Sequence, residues 1–444
     1  MKYSLRPDDV PATASRSRVP VTRVASAQGE GEDGRPGRQD HGEDEDGGHD
    51  AAAPLRARTE GTCHAATLAP GRGRHEAPGW RTSDPGATVC PVTTGSEVGL
   101  LRLVAQRVAG PRAATPAEAV RRLTAVQGQD HPGSVLSVAL RTAGRSRAEV
   151  FAAMDRGEIV RSWPMRGTLH LTLAEDLPWM LDLLGQRALA GVAKRRALLE
   201  LTEEDVARAC EVAVAALSGG RRLSRAGLLA AFDAGGVPVT GQRGYHLIWF
   251  AAQTGHICLG PTEDGEQQFV LLDEWVPGPR RPEREEALGE LAARFFAGHG
   301  PGTVQDLARW SGLTVRDCRA GLAPAREHLD STTVEGVEHF LDPATPELLA
   351  ACREEARGTV LLPGFDEFVL GYGDRSAVLD PAYADRIAPG ANGIFQPTVV
   401  VAGRVVGTWH YAGRGARRAA VGTAFDPADA DLVTGVPELA AALP

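Results

Sequence analysis

The sequence predicts an α+β protein. A disordered N-terminal tail (1–95) precedes three tandem winged-helix modules (96–195, 196–280 and 281–345) and a small β-rich, barrel-like C-terminal domain (346–444). Three observations predict it. Residues 1–95 are rich in Gly, Pro, Arg, Ser and acids, with the block Gly42-Glu-Asp-Glu-Asp-Gly47, and such a segment buries too little apolar surface to offset chain entropy. From residue 98 onward, apolar residues at helical spacing followed by paired alternating runs recur three times. After Leu341 the chain turns to Val, Ile, Phe and Trp in short runs.

In the first module, Leu100–Ala109 and Pro116–Val126 carry helical spacing, with Thr115 as N-cap and Pro116 in the first turn. Ser146–Met154 is a third helix. Ile159–Trp163 and Thr168–Leu173 alternate as wing strands joined through Pro164–Gly167. The second module opens with the cap Thr202-Glu-Glu-Asp205 and the helix Val206–Leu217, followed by Ser224–Asp233 and the apolar helix Tyr245–Thr254. Its wing is Ile257–Gly260 and Gln267–Leu272, turned by Glu263-Asp264-Gly265. The third has the plainest helix-turn-helix pattern: Thr303–Trp310, the tight turn Ser311-Gly312-Leu313, and Thr314–Ala323 with Thr314 as N-cap. Any αα corner reads the same way, and its second helix offers Arg316 and Arg319 as base-contacting side chains. In the last domain, strands are expected at Thr359–Leu362, Ile394–Val401 and Arg404–Trp409, the last two joined by a short hairpin connection. Trp163, Trp179, Trp249 and Trp310 fall on apolar faces and read as core.

A net charge of −9 over 444 residues argues against indiscriminate nucleic-acid binding. It leaves room for a focal basic groove, because screening confines charge effects to about 10 Å. Lysine occurs only at Lys2 and Lys194, so cationic contacts fall to arginine; a GC-rich genome produces the same bias. The six cysteines are scattered with no C-x-x-C pair, which points to neither a metal site nor a disulfide framework. No cofactor is expected. With scattered cysteines, no apolar run of membrane length and no signal peptide, a cytoplasmic protein is expected, and with no obvious dimerisation coiled coil a monomer.

The chemistry concentrates in Gln127-Gly128-Gln129-Asp130-His131-Pro132. In an extended chain, i and i+2 place both amides on one side, and Gly128 lets another backbone come close. On spacing alone a polar helix C-terminus capped by Gly128 is the plainer reading. Asp130 and His131 could serve as acid and base, or form a solvated turn before Pro132. Further islands follow: Trp163-Pro-Met-Arg166-Gly-Thr-Leu-His170 with Asp176 and Trp179; Gly300-Pro-Gly-Thr303 through Trp310-Ser-Gly-Leu313; Leu362-Pro-Gly-Phe365-Asp366-Glu367 with Gly371-Tyr-Gly-Asp374-Arg375; and Asn392-Gly-Ile-Phe395-Gln-Pro397. In order and spacing these islands resemble the winged-helix DNA glycosylases of the AlkZ and YcaQ type, over roughly residues 98–412. The resemblance begins near Val98, so translation of the natural protein is expected to start there.

That resemblance implies a monofunctional DNA glycosylase acting on duplex DNA with alkylated bases, a repair enzyme linked in AlkZ relatives to self-resistance in antibiotic producers. The family motif is Gln–apolar–Gln or Gln–apolar–Asp. Gln127 and Gln129 match the first form, while Gly128 departs from its apolar middle residue. N7-alkylation makes the purine a cation and weakens its glycosidic bond, so two neutral amides that hold a water are enough. A neutral base would need a protonating acid, which glutamine is not. Selectivity for cationic lesions is therefore expected. His170 reads as a structural residue ending a wing strand. Arg161 and Arg166, flanking the wing turn, are expected to touch phosphate or form internal ion pairs. Arg375, Asn392 and Arg404 are further expected DNA contacts, since a hairpin probes the minor groove in the resembling enzymes. The competing readings are a non-catalytic winged-helix regulator, disfavoured by three modules and no dimerisation coiled coil, and a degenerate family member.

Overall fold

The computed structural model describes residues 95–444 apart from Pro277 and Asn392. The expected tail up to residue 94 and the expected DNA contact Asn392 lie outside the described residues. Helix α1 spans Gly95–Ala105 and stops short of the expected Ala109, where Arg107 takes a φ of 61°. Helix α2 (Pro116–Leu123) starts as expected, with the Thr115 hydroxyl accepting from the Glu118 N–H. It does not reach Val126. Thr124, at φ 65° and ψ −48°, throws the chain out of the helix, and Ala125–Gln127 becomes strand β1. The segment read as a turn at Asp130–Pro132 instead opens helix α3 (His131–Leu140), with proline in its first turn. Helix α4 (Arg147–Asp155) is capped by Ser146. Strands β2 (Ile159–Met165) and β3 (Thr168–Leu173) form the expected hairpin, turned by positive φ at Arg166 and Gly167.

Helices α5 (Leu177–Leu184), α6 (Gln186–Ala190) and α7 (Val192–Leu198) lead into α8 (Glu203–Leu217), whose capping box pairs Thr202 with Asp205. Then come α9 (Arg225–Ala234), α10 (Arg243–Gln253), β4 (Ile257–Glu263), β5 (Glu266–Leu271) and the single turn α11 (Leu272–Trp275). The hairpins β2–β3 and β4–β5 share one antiparallel sheet, in the order β1-β3-β2-β4-β5, joined where Arg161 of β2 faces Leu259 of β4. Apolar residues drive that junction: Val160, Cys258 and Val270 cluster with Leu177 and Leu181 of α5. In the same sheet Gln127 stands opposite His170, which in turn faces Ser162.

Helix α12 (Arg284–His299) buries Phe295 and Phe296 against Trp310 of α13 (Val304–Ser311) and Leu322 of α14 (Val315–Ala325). Gly312, at φ 80°, closes α13 as the turn pattern required. Strands β6 (Asp330–Val334) and β7 (Val337–Leu341) complete this unit as a two-stranded sheet. Gly298 permits a close crossing of α12 over α2: a Cβ there would sit 2.0 Å from the Arg122 carbonyl oxygen.

The C-terminal region contains helix α15 (Thr345–Arg357), β8 (Thr359–Leu362), the short α16 (Glu367–Leu370), β9 (Thr398–Val401), β10 (Arg404–Ala412) and β11 (Ala419–Ala424). Its strands form an open four-stranded antiparallel sheet, β11-β10-β9-β8, not the barrel-like closure expected. The strand expected from Ile394 begins only at Thr398, since Pro397 has no N–H for the ladder and the Gln396 N–H is spent on Ile387. Leu100, Leu103 and Val104 of α1 share one core with Leu362, Phe368, Val400 and Val405. Gly99 and Gly403 touch backbone to backbone; a Cβ on Gly99 would lie 2.1 Å from the Gly403 oxygen. Among the described residues no helix is long and apolar enough to cross a membrane.

Candidate active site

Of the two sequence readings of the glutamine segment, the extended one is observed. Strand β1 carries Gln127, 5% exposed, at the edge of the sheet, and Gln129 follows it half-buried. The Gln127 Nε2 donates to the Gln129 Oε1 at 2.6 Å, so the two amides form one unit. Between them Gly128 donates its N–H to the Leu169 carbonyl at 2.7 Å. An added Cβ there would lie 3.2 Å from the His170 Cα, the close approach that glycine allows.

Arg166, with His170 beside it, holds this pair. Arg166, placed by the hairpin turn, donates from Nη2 to the Gln127 Oε1 at 3.2 Å and faces the His170 Nε2 at 3.2 Å, while its Nη1 donates to the Trp310 carbonyl. His170 is fully buried, with Nδ1 2.8 Å from the Thr168 carbonyl. Nδ1 therefore carries the proton and Nε2 accepts from Arg166. Burial, with the Arg166 cation beside it, pushes the His170 pKa down to about 3, so the ring is a neutral acceptor.

From behind, the site rests on consecutive buried carboxylates at the start of α16. Glu367 accepts the Gln127 backbone N–H at 2.9 Å and the Trp310 indole N–H at 2.9 Å, and faces the His299 Nε2 at 3.4 Å. Burial alone would push this acid up, but His299 first and then the Gln127 N–H outweigh it and hold Glu367 below the ordinary glutamate value. Asp366 forms a two-pronged ion pair with Arg141, at 2.8 and 2.9 Å, and accepts from the Ser137 hydroxyl at 2.7 Å. These donors likewise overcome burial and keep Asp366 below its usual value. Breaking a buried pair of this kind costs about 3–5 kcal/mol, which ties α3 to α16 and keeps Glu367 under Gln127.

The other expected residues are spread more widely. Arg161 is tucked in, donating to the Gly128 carbonyl at 2.7 Å and to Gln267 at 2.7 Å, and burial lowers its pKa to about 10. Arg375 donates to the Val369 carbonyl at 2.7 Å and covers the Phe395 ring. Arg404 is exposed beside the Ala402-Gly403 turn, which lies against α1. His131 packs edge-on against Phe151, and burial lowers its pKa to about 4. Asp176 binds the Trp179 indole, Arg280 and Arg294, joining the start of α5 to α12. Trp163, Trp179 and Trp310 are core residues and Trp249 is partly buried. Among the described residues no group of three or more His, Cys, Asp or Glu is placed to hold a metal ion.

Two features escaped the sequence reading. Glu367 lies in a quoted island, but nothing local signals that it meets Gln127. The loop between β10 and β11 exposes Arg414, Arg417 and Arg418, with Arg418 over Tyr411 at 4.0 Å; three arginines within five residues, beside Gly413 and Gly415, were the available sign.

The chain is thus a mixed α/β protein with a paired-amide site at the edge of its five-stranded sheet. The family model described as "DNA glycosylase AlkZ-like" matches residues 120–443, and the chain belongs to that family. An interstrand DNA cross-link repair glycosylase of Streptomyces sahachiroi is 29% identical over 312 residues, covering 66% of this chain and 81% of that protein. The solved structure of the Streptomyces sahachiroi DNA glycosylase AlkZ matches with a TM-score of 0.63 and 26% identity, over 76% of this chain and 92% of that one.

Proposed function

We propose that this chain is a monofunctional DNA glycosylase that hydrolyses the N-glycosidic bond of cationic N7-alkylated purines in duplex DNA, bulky adducts and crosslinks included. The observation that carries the reading is the hydrogen-bonded amide pair Gln127–Gln129, in a chain of the AlkZ-like family. The cross-link repair activity named for the Streptomyces relative supports the bulky end of the substrate range.

The two amides hold four N–H donors and two carbonyl oxygens, each with two lone pairs. One lone pair of the Gln127 oxygen goes to Arg166, and one of the Gln129 oxygen goes to Gln127. The second lone pair of each oxygen is left to hold a water. As the C1′–N9 bond breaks, its electron pair leaves with the purine and cancels the lesion's positive charge. The sugar becomes oxocarbenium-like, the held water adds at C1′, and its proton passes to solvent. Fixed amide dipoles stabilise the sugar cation without a strong base. A neutral lesion lacks the pre-paid leaving-group charge.

We read the architecture around this centre as winged helices at 96–195, 196–280 and 281–345 with a strand-rich domain at 346–444. The set of DNA contacts in this reading is Asn392 and Arg404, extended to the arginine loop between β10 and β11, while the Arg166 fork, engaged by Gln127, His170 and Trp310, serves the glutamine pair. Arg161 and Arg375 serve this set from beneath by bracing Gly128 and Phe395. No dimer is needed.

The test is single-turnover excision from a duplex carrying one N7-methylguanine. The parent should yield abasic product. Gln127→Ala and Gln129→Ala should each slow it by about 10²–10³-fold, and a duplex with O6-methylguanine should stay intact. A parent silent on N7-methylguanine and on a bulkier N7 adduct, yet able to bind duplex DNA, would return the chain to the non-catalytic winged-helix class.

A further inference from the structure

We infer that Arg166, aligned by His170, is a positioning residue that fixes which way both glutamine amides face. This rests on the glutamine mechanism above and adds the device that orients it. An amide has two faces of similar shape and opposite polarity, so two adjacent glutamines have four combined orientations, of which one presents both carbonyl oxygens as described. Arg166 selects it. Its Nη2 has two hydrogens: one reaches the Gln127 Oε1 and the other the His170 Nε2, each at 3.2 Å. Turning the Gln127 amide over would set its NH2 against the guanidinium, donor against donor. With Oε1 held, the Gln127 Nε2 faces Gln129, where only an oxygen can meet it at 2.6 Å.

Arg166 is itself held by three acceptors on three elements: the Trp310 carbonyl at the end of α13, His170 on β3 and Gln127 on β1. His170 can accept only because the Thr168 carbonyl, 2.8 Å from Nδ1, keeps the proton on the other nitrogen. The bonds run outward from Arg166 in two chains, one through His170 to the Thr168 carbonyl and one through Gln127 to Gln129, and the cation at their head polarises each bond in turn. A lysine at 166 keeps the charge but has no planar fork to serve Gln127 and His170 from one nitrogen in fixed directions.

The experiment uses the full chain, with Arg166→Lys, His170→Ala, His170→Gln and Gln129→Ala compared on N7-methylguanine duplex. Duplex Kd and the single-turnover rate at saturating enzyme are measured for each, with urea unfolding to verify the fold. Arg166→Lys and His170→Ala are expected to lower the saturated rate about 10-fold or more and leave Kd within about twofold. His170→Gln, whose side-chain oxygen restores an acceptor for Arg166, is expected to recover most of the rate. The inference is overturned if Arg166→Lys weakens binding and leaves the saturated rate unchanged, because Arg166 is then a phosphate contact. It is equally overturned if folded His170→Ala and His170→Gln behave alike. Arg166→Lys, at an exposed position, carries the test alone if the buried His170 variants unfold. If Gln129→Ala excises like the parent, the glutamine mechanism itself has failed, a result distinct from either of these.

Discussion

Single residues set the behaviour of this protein toward acid. His131, His170 and His246 have pKa values pushed down to about 4, 3 and 4, in each case first by burial and then by nearby arginines. In the unfolded chain a histidine titrates near about 6.5. Below that pH the unfolded state binds protons that the folded state refuses, so the stabilisation is complete above about pH 6.5 and is lost as pH falls toward the folded values. Each histidine then contributes a slope of about 1.4 kcal/mol per pH unit. Urea midpoints measured from pH 7.5 to 4.5 should fall steadily from about pH 6.5, and His131→Asn should flatten the slope by about one proton; a midpoint constant down to pH 5 refutes this. At this scale the sequence was most legible where chemistry is local. His170 read only as a structural residue at a strand end, and Gln127 and Gln129 stood out through the family resemblance, since spacing alone favoured a capped helix end. Glu367 did not, because its meeting with the Gln127 N–H spans 240 positions and depends on how α16 docks.

Elements were legible through their ends. Thr115, Thr202, Ser224 and Thr314 cap the helices assigned to them, since a hydroxyl three residues before an N–H is a local pattern. The segment after α2 misled for the opposite reason. Apolar spacing runs on through Val126, and only pairing with β3 explains why Thr124 leaves the helix. The joining of the β2–β3 and β4–β5 hairpins into one sheet is tertiary and left no local trace. The crossing of α12 over α2 yields a prediction. A methyl at Gly298 would meet the Arg122 carbonyl at 2.0 Å, and neither helix backbone can yield cheaply. Gly298→Ala should therefore cost about 1–3 kcal/mol in urea unfolding, even though alanine is the better helix former. An unchanged midpoint would show that the helices part freely.

At the scale of the whole molecule, a chain with net charge −9 has to approach a polyanion. Affinity then depends on where the arginines stand, not on how many there are. The exposed Arg414, Arg417 and Arg418 of the β10–β11 loop are grouped, so each of Arg414→Ala and Arg417→Ala should weaken duplex binding. Each should also reduce the slope of log Kd against log salt by about one, while the excision rate at saturating enzyme holds. Slopes equal to that of the parent would remove the loop from the interface. The packing of α1 on the C-terminal sheet matters in another setting, the ribosome. Helix α1 emerges about three hundred residues before Val400 and Val405, which at common synthesis rates is on the order of tens of seconds. For that interval the face carrying Leu100, Leu103 and Val104 lacks the part of its apolar cover that Val400 and Val405 will later supply. The nascent chain thus carries a partly uncovered apolar segment, and a message cut short before Thr398 leaves it without the cover of Val400 and Val405.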